Sequence, residues 1–176
     1  MSLFFIISSC VLWLLSLWLL RGWQTAAPFS SFIALVLLSL AEKNGWQLLP
    51  INSTMLMGWL CMTLVVMLAC FLQPSAVRAQ TKGWGYITGG ALAGLAVGLL
   101  GSTFPLSISI NYGLMIIGVV AGIFLGFLLY TFTPDGRPVA PGSGFFFKYL
   151  LAKGFPTAIT VMQAGIALVL LIAMYK

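Results

Sequence analysis

Six apolar stretches separated by short polar connectors occupy most of the 176-residue chain, and this pattern constrains the fold more than any other feature. A bilayer core of about 30 Å is crossed by about 20 apolar helical residues. The stretches cover residues 3–20, 28–41, 53–72, 86–101, 112–132 and 157–175. The spacing predicts an all-α integral membrane protein: one domain over residues 1–176, a polytopic bundle of about six transmembrane helices. Composition agrees, with 61% hydrophobic and 6% charged residues, against about 25% charged in soluble domains. The second stretch is short for a span, so it is expected to tilt little or to thin the bilayer locally.

Local signals fix the ends of these stretches. Pro28 suits a first helical turn, where its missing N–H costs nothing, and Glu42-Lys43-Asn44-Gly45 ends the second run. Asn52 and Ser53 are suitable N-caps for the third, which Gln73-Pro74 closes. Trp23, Trp46, Trp84, Tyr86 and Tyr175 stand at boundaries, where amphipathic rings prefer to lie. The first run lacks a basic leader and a small-residue cleavage site before Arg21, so it reads as a permanent helix and not as a signal peptide.

Charge sets the expected orientation. Connectors 21–27, 73–85 and 133–156 carry Arg21, Arg78, Lys82, Arg137, Lys148 and Lys153, whereas the opposite side holds only Lys43 and Lys176. Cationic loops stay in the cytoplasm, which places those three connectors inside and both termini outside a bacterial inner (cytoplasmic) membrane. The formal charge of +6 is spread singly between apolar runs. It forms no massed basic face of the kind a nucleic acid needs.

Several chemistries lack their residues. The chain has no His, which removes His-ligated metal, bis-His haem and a His general base. Cys10, Cys61 and Cys70 each sit in an apolar run and are expected to be buried and inert. Glu42 and Asp135, the two acids, fall between runs, so no carboxylate pair or mid-membrane proton carrier is expected. The chain reads as a non-enzyme with no cofactor and no metal site.

The most specific motif is a pair of glycine rows. Gly90, Gly94 and Gly98 recur every fourth residue in the fourth stretch, and Gly118, Gly122 and Gly126 do so in the fifth. Residues four apart share one helix face, so each helix presents a groove about three turns long. Lipid offers no gain for hiding Leu against Leu, so helices associate there by close packing, which small residues permit. The two rows either zip together as an antiparallel hairpin or face a neighbouring subunit. Glycine-rowed hairpins also build the ion-carrying rings of rotary ATP synthases, which need a carboxylate midway along the second helix. Leu114 to Tyr130 contains no Asp, Glu, Gln or Asn, so the similarity stops at packing.

Two further features are candidates for contact. Thr157, Thr160 and Gln163 lie at intervals of three on one flank of the last stretch, either as interhelical hydrogen-bonding glue or as the lining of a solute path. Ser8, Ser9, Ser16, Ser30, Ser31, Ser39 and Thr63 can return their hydroxyls to the carbonyl four residues back and carry little further information. Ahead of the last stretch, residues 144–156 include Phe145, Phe146, Phe147, Lys148 and Lys153. This segment is expected to lie in the headgroup layer, its lysines touching lipid phosphate, or to dock another subunit.

The resulting expectation is a non-catalytic membrane subunit or scaffold within a larger inner-membrane complex, by analogy an accessory of an ion-driven machine, with lipids and other integral membrane subunits or its own copies as partners. The alternative is a small transporter or channel for an apolar or lipid-like solute.

Overall fold

A computed structural model describes residues 2–40, 42–43, 46–47, 53–72, 83–101 and 108–175. The expected N-cap Asn52, the connector cations Arg78 and Lys82, residues 102–107 and Lys176 lie outside the described residues. The described chain is helical apart from turns and a two-residue antiparallel pairing of Glu42–Lys43 with Trp46–Gln47. Six long helices follow the six apolar stretches: α1 Ser2–Leu19, α2 Ala26–Ser39, α3 Ser53–Phe71, α4 Trp84–Gly101, α5 Ile108–Thr131 and α6 Phe155–Tyr175. Among the described residues, Ser53–Phe71 and Gly113–Thr131 are long and apolar enough to cross a membrane, and Leu3–Leu19, Ala26–Ser39 and Trp84–Leu100 are apolar but shorter.

Two boundaries differ from expectation. α5 starts at Ile108 and not near 112, because Ile108-Ser109-Ile110-Asn111 carries no breaker and the proline precedes it at Pro105. The segment ahead of α6 is not a separate surface piece. Phe146–Tyr149 is α-helical, Leu150–Gly154 continues as a π-helix, and α6 follows directly at Phe155.

The helices form two antiparallel hairpins around a central post. α1 and α2 meet through small residues, where Ser9 Oγ donates to the Ala34 carbonyl at 2.7 Å and Ser30 Oγ to the Leu12 carbonyl at 3.3 Å. These two hydroxyls, and Ser31 which donates to the Thr160 carbonyl, bridge helices. Thr63 turns back to the carbonyl four residues before it as expected, whereas Ser16 and Ser39 bond carbonyls three residues back on their own helices. The second hairpin is α4 with α5. α6 runs between the two, and Thr160, Val161, Gln163 and Ala167 on it are fully buried. α3 is the outlier: its buried residues are Thr63, Val66 and Cys70, and it touches the rest mainly along that edge.

The cysteines divide accordingly. Cys70 is buried, whereas Cys10 and Cys61 lie on outward faces, contrary to the expectation that all three are hidden. Nine residues separate Cys61 from Cys70 on one helix, which puts them half a turn apart at 3.6 residues per turn.

Candidate functional site

The glycine rows lie against each other within the chain. A Cβ built on Gly94 would meet the Gly118 carbonyl and lie 3.1 Å from Gly122 Cα, and one on Gly122 would meet the Gly90 carbonyl. Gly126 opposes Tyr86 and Gly90, and Gly98 opposes Leu114 and Met115. The partners descend along α5 as the row ascends along α4, so the helices are antiparallel and their backbones touch. All six glycines of the motif are therefore used inside the chain, and neither row remains for a neighbouring subunit.

The polar flank of α6 points to the centre of the bundle. Thr157 donates to the Lys153 carbonyl, and Gln163 Nε2 donates to Thr63 Oγ1 of α3 at 3.0 Å. Thr63 in turn donates to the Trp59 carbonyl, so its oxygen is acceptor and donor at once. Gln163 Oε1 and Thr160 Oγ1 are buried and have no hydrogen-bond partner. Sequence reasoning found Gln163 and Thr160 but missed Thr63 and Ser31 as their partners. A hydroxyl on an apolar helix carries no signal of whether it bonds its own turn or a neighbour. Among the described residues, no three His, Cys, Asp or Glu side chains gather as a metal site.

The approach to α6 closes one end of the bundle with an aromatic stack. Tyr149 is buried, stacks on Tyr130 with centroids 5.8 Å apart and packs on Phe127 at 5.6 Å; Phe146 meets Phe127 edge-on at 5.2 Å. Burial raises the Tyr149 phenol above its usual range, and the neighbouring Tyr130 hydroxyl adds to that. Gly83, with φ of +86°, leaves room for this stack: a Cβ there would strike the Tyr149 hydroxyl and the Tyr130 ring. The five cationic and aromatic candidates separate. Phe145, Phe147 and Lys148 are exposed, with Lys148 Nζ 5.8 Å from the Phe145 ring centre, whereas Phe146 is half-buried. Lys153 is turned inward and only 2% exposed, in place of the surface position expected for it. Its burial lowers the ammonium pKa to about 8, partly offset by the Cys70 thiol.

The fold and these sites define an all-helical bundle whose centre combines apolar and aromatic side chains with glycines and hydroxyls, and whose outer faces carry many large apolar residues. No family model matches the chain, and no curated protein or solved structure is detectably similar to it.

Proposed function

We propose that this chain is an integral membrane protein acting as a non-catalytic subunit or scaffold of a larger inner-membrane assembly. The apolar outer surface supports the membrane placement. Leu3, Phe4, Ile7, Val11, Leu14 and Trp18 cover the outer face of α1, and Ile117, Val120, Leu125 and Leu129 that of α5, all more than half exposed. Contiguous apolar surface on this scale mediates contact with lipid or protein. The cationic connector ends, with Arg21, Arg137 and Lys148 exposed, support a cytoplasmic position for that face of the bundle.

The observation that carries the subunit reading is the open flank beside α3. Met55, Gly58, Trp59 and Met62 of α3, with Ile116 and Val120 of α5 and Phe155, Ala158, Ile159 and Met162 of α6, line an apolar groove of about 570 Å³. α3 has few neighbours of its own, and methionine-rich walls adapt to varied apolar shapes. A photo-crosslinker at Met62, compared with one at the exposed Leu3 of α1, which does not line the groove, tests this in intact membranes. The reading expects a discrete adduct with another integral membrane chain from Met62 alone, and a matching complex on native electrophoresis after gentle extraction. Crosslinks to lipid only, with a lone monomer after extraction, would overturn it. The same groove favours the second reading, a carrier for an apolar solute. That reading gains if the monomer, reconstituted in liposomes, moves a fluorescent lipid across the bilayer.

A further inference from the structure

Residues 132–149 close the end of the bundle between α5 and α6, and this segment has two faces. Its inner face is pinned. Val139 and Tyr149 are buried with Phe127 and Tyr130 of α5, and Phe146 packs half-buried against the same cluster. The turn after α5 is fixed as well. Thr133 Oγ1 donates to the Tyr130 carbonyl at 2.6 Å and accepts from the Gly136 N–H at 3.2 Å, while the Tyr130 hydroxyl donates to the Asp135 carbonyl at 3.2 Å.

The outer face is thereby held outward, and it mixes apolar rings with cations. Phe132, Phe145 and Phe147 are 80%, 56% and 71% exposed. Rings fixed in this way gain from apolar cover that the chain itself does not supply. Arg137 and Lys148 stand exposed among them. Lys148 Nζ lies 5.8 Å from the Phe145 ring centre, and an ammonium over a ring keeps N–H donors for a second partner. Asp135, also exposed, is the acid of the segment, so its cations exceed its acids by one (two less one). The α1–α2 turn repeats the pairing with exposed Arg21 and Trp23, and it meets the approach to α6 where Trp23 and Ala152 line one pocket. An acidic peptide would satisfy the cations and leave the rings in water. The surface of an acidic leaflet satisfies both, with phosphate oxygens for the cations and the glycerol level for the rings.

We propose that the outer face of residues 132–149 contacts acidic phospholipids of the adjoining leaflet, with Lys148 donating to a headgroup phosphate and Phe145 and Phe147 seated at the glycerol level. This rests on the membrane placement put forward above and not on the subunit role.

The test uses the full chain in vesicles. Gly144 is exposed and has nothing within 4 Å of its Cβ position, so Gly144→Cys can carry a nitrobenzoxadiazole fluorophore. Cys10→Ser and Cys61→Ser remove the two exposed thiols and leave the buried Cys70 in place. The same fluorophore on Leu14→Cys, an exposed position on α1, is the reference. The quencher is a nitroxide near the top of the acyl chain, carried by phosphatidylglycerol or by phosphatidylcholine at equal mole fraction. Both lipids should quench the Gly144 reporter, phosphatidylglycerol more strongly, and about 1 M salt should remove the excess. Lys148→Met should cut the preference about fivefold, the share of one cation at an acidic surface. Phe147→Ser should lower quenching by both lipids, and the Leu14 reporter should be quenched by both alike. A Gly144 reporter that neither lipid quenches, beside a quenched Leu14, overturns the proposal and leaves the membrane placement standing. Equal quenching by the two lipids overturns it too, as does a preference that survives Lys148→Met. A reporter shielded only in native membranes assigns this face to a protein partner instead. An unquenched Leu14 reporter overturns the membrane placement and this proposal with it.

Discussion

Replacing Gly94 by Ala while using Gly89→Ala as its control isolates what the backbone contact between α4 and α5 contributes. A Cβ on Gly94 would lie 2.7 Å from Gly118 C, and closer still to the carbonyl oxygen, whereas ordinary contact begins at 3.4 Å. The helices must therefore part by well over 0.7 Å (3.4 less 2.7), since the carbonyl oxygen is the nearer atom, and the loss worked from 0.7 Å is a lower bound. A gap of that size forfeits a quarter to a half of each dispersion well; with on the order of 40 atom pairs along the seam at ~0.15 kcal/mol each, the loss is about 1.5–3 kcal/mol. Alanine returns up to about 1 kcal/mol through its better helix propensity, which leaves a net destabilisation of about 0.5–2 kcal/mol. Gly89 has nothing within 4 Å of its Cβ position, so alanine there gains the propensity term without a clash. The two variants should differ by about 1.5–3 kcal/mol, with opposite signs relative to the parent. Unfolding of the detergent-solubilised protein by increasing sodium dodecyl sulfate, followed by tryptophan fluorescence, measures this. If the two alanine variants unfold together, the seam does not hold the hairpin and the packing argument fails.

Other consequences follow from the polar core and the closed end. Gln163→Leu and Thr63→Val each break the 3.0 Å bond between α6 and α3, and a double-mutant cycle should return a coupling of about 0.6–1 kcal/mol. Near-zero coupling would show that the bond contributes nothing to docking α3. Gly83→Ala should destabilise more than Gly142→Ala. Both glycines have positive φ and share the backbone cost of about 1–2 kcal/mol, but only Gly83 would drive a Cβ into Tyr130 and Tyr149; equal losses would contradict the stack as described. Lys153 gives a pH signature whose sign is fixed. Its pKa is lowered to about 8 in the folded chain from 10.5, so above pH 8 the unfolded chain binds more protons and stability rises with pH toward 10. The raised Tyr149 phenol acts oppositely, since it makes stability fall only above its usual value of 10.0. Followed as unfolding stability against pH, the rise between pH 8 and 10 should vanish on Lys153→Met.

How much of this was legible in the sequence depended on whether a feature marks a face. The apolar runs gave the number and order of helices, because length and the absence of charge are one-dimensional signals. The glycine rows also gave a face, since a missing side chain every fourth residue can only be a stripe. Whether that stripe met its twin or a neighbouring subunit was not fixed by spacing. Most other helices are apolar all round, so nothing in α3 distinguished Thr63 as the inward edge and Cys61 as the outward one. Lys153 shows the same limit in reverse. Its neighbours in sequence, Phe147 and Lys148, are exposed, and its burial accompanies the packing of residues 150–154 on α3 and α4, with Cys70 near enough to act on its charge, which only the tertiary arrangement brings about.

The distribution of packing bears on where a partner would act. The hairpins are joined by backbone contact or by short hydroxyl-to-carbonyl bonds, neither of which depends on water being expelled. α3 has no glycine seam, since nothing lies within 4 Å of the Cβ position of its Gly58. Its described polar tie across the core is the Gln163–Thr63 bond, set among Trp59, Val66 and Ile159. In lipid, where apolar surface gains nothing from burial against other apolar surface, so lightly held a helix is the element whose position a neighbour can most readily change. Amide hydrogen exchange in nanodiscs should therefore find α3 exchanging faster than α4 and α5 in the isolated chain, and slowed when a subunit occupies the groove beside Met62. Uniform protection across α3, α4 and α5 in the isolated protein would mean that α3 is already fully seated, and the groove would then lose its standing as the docking face.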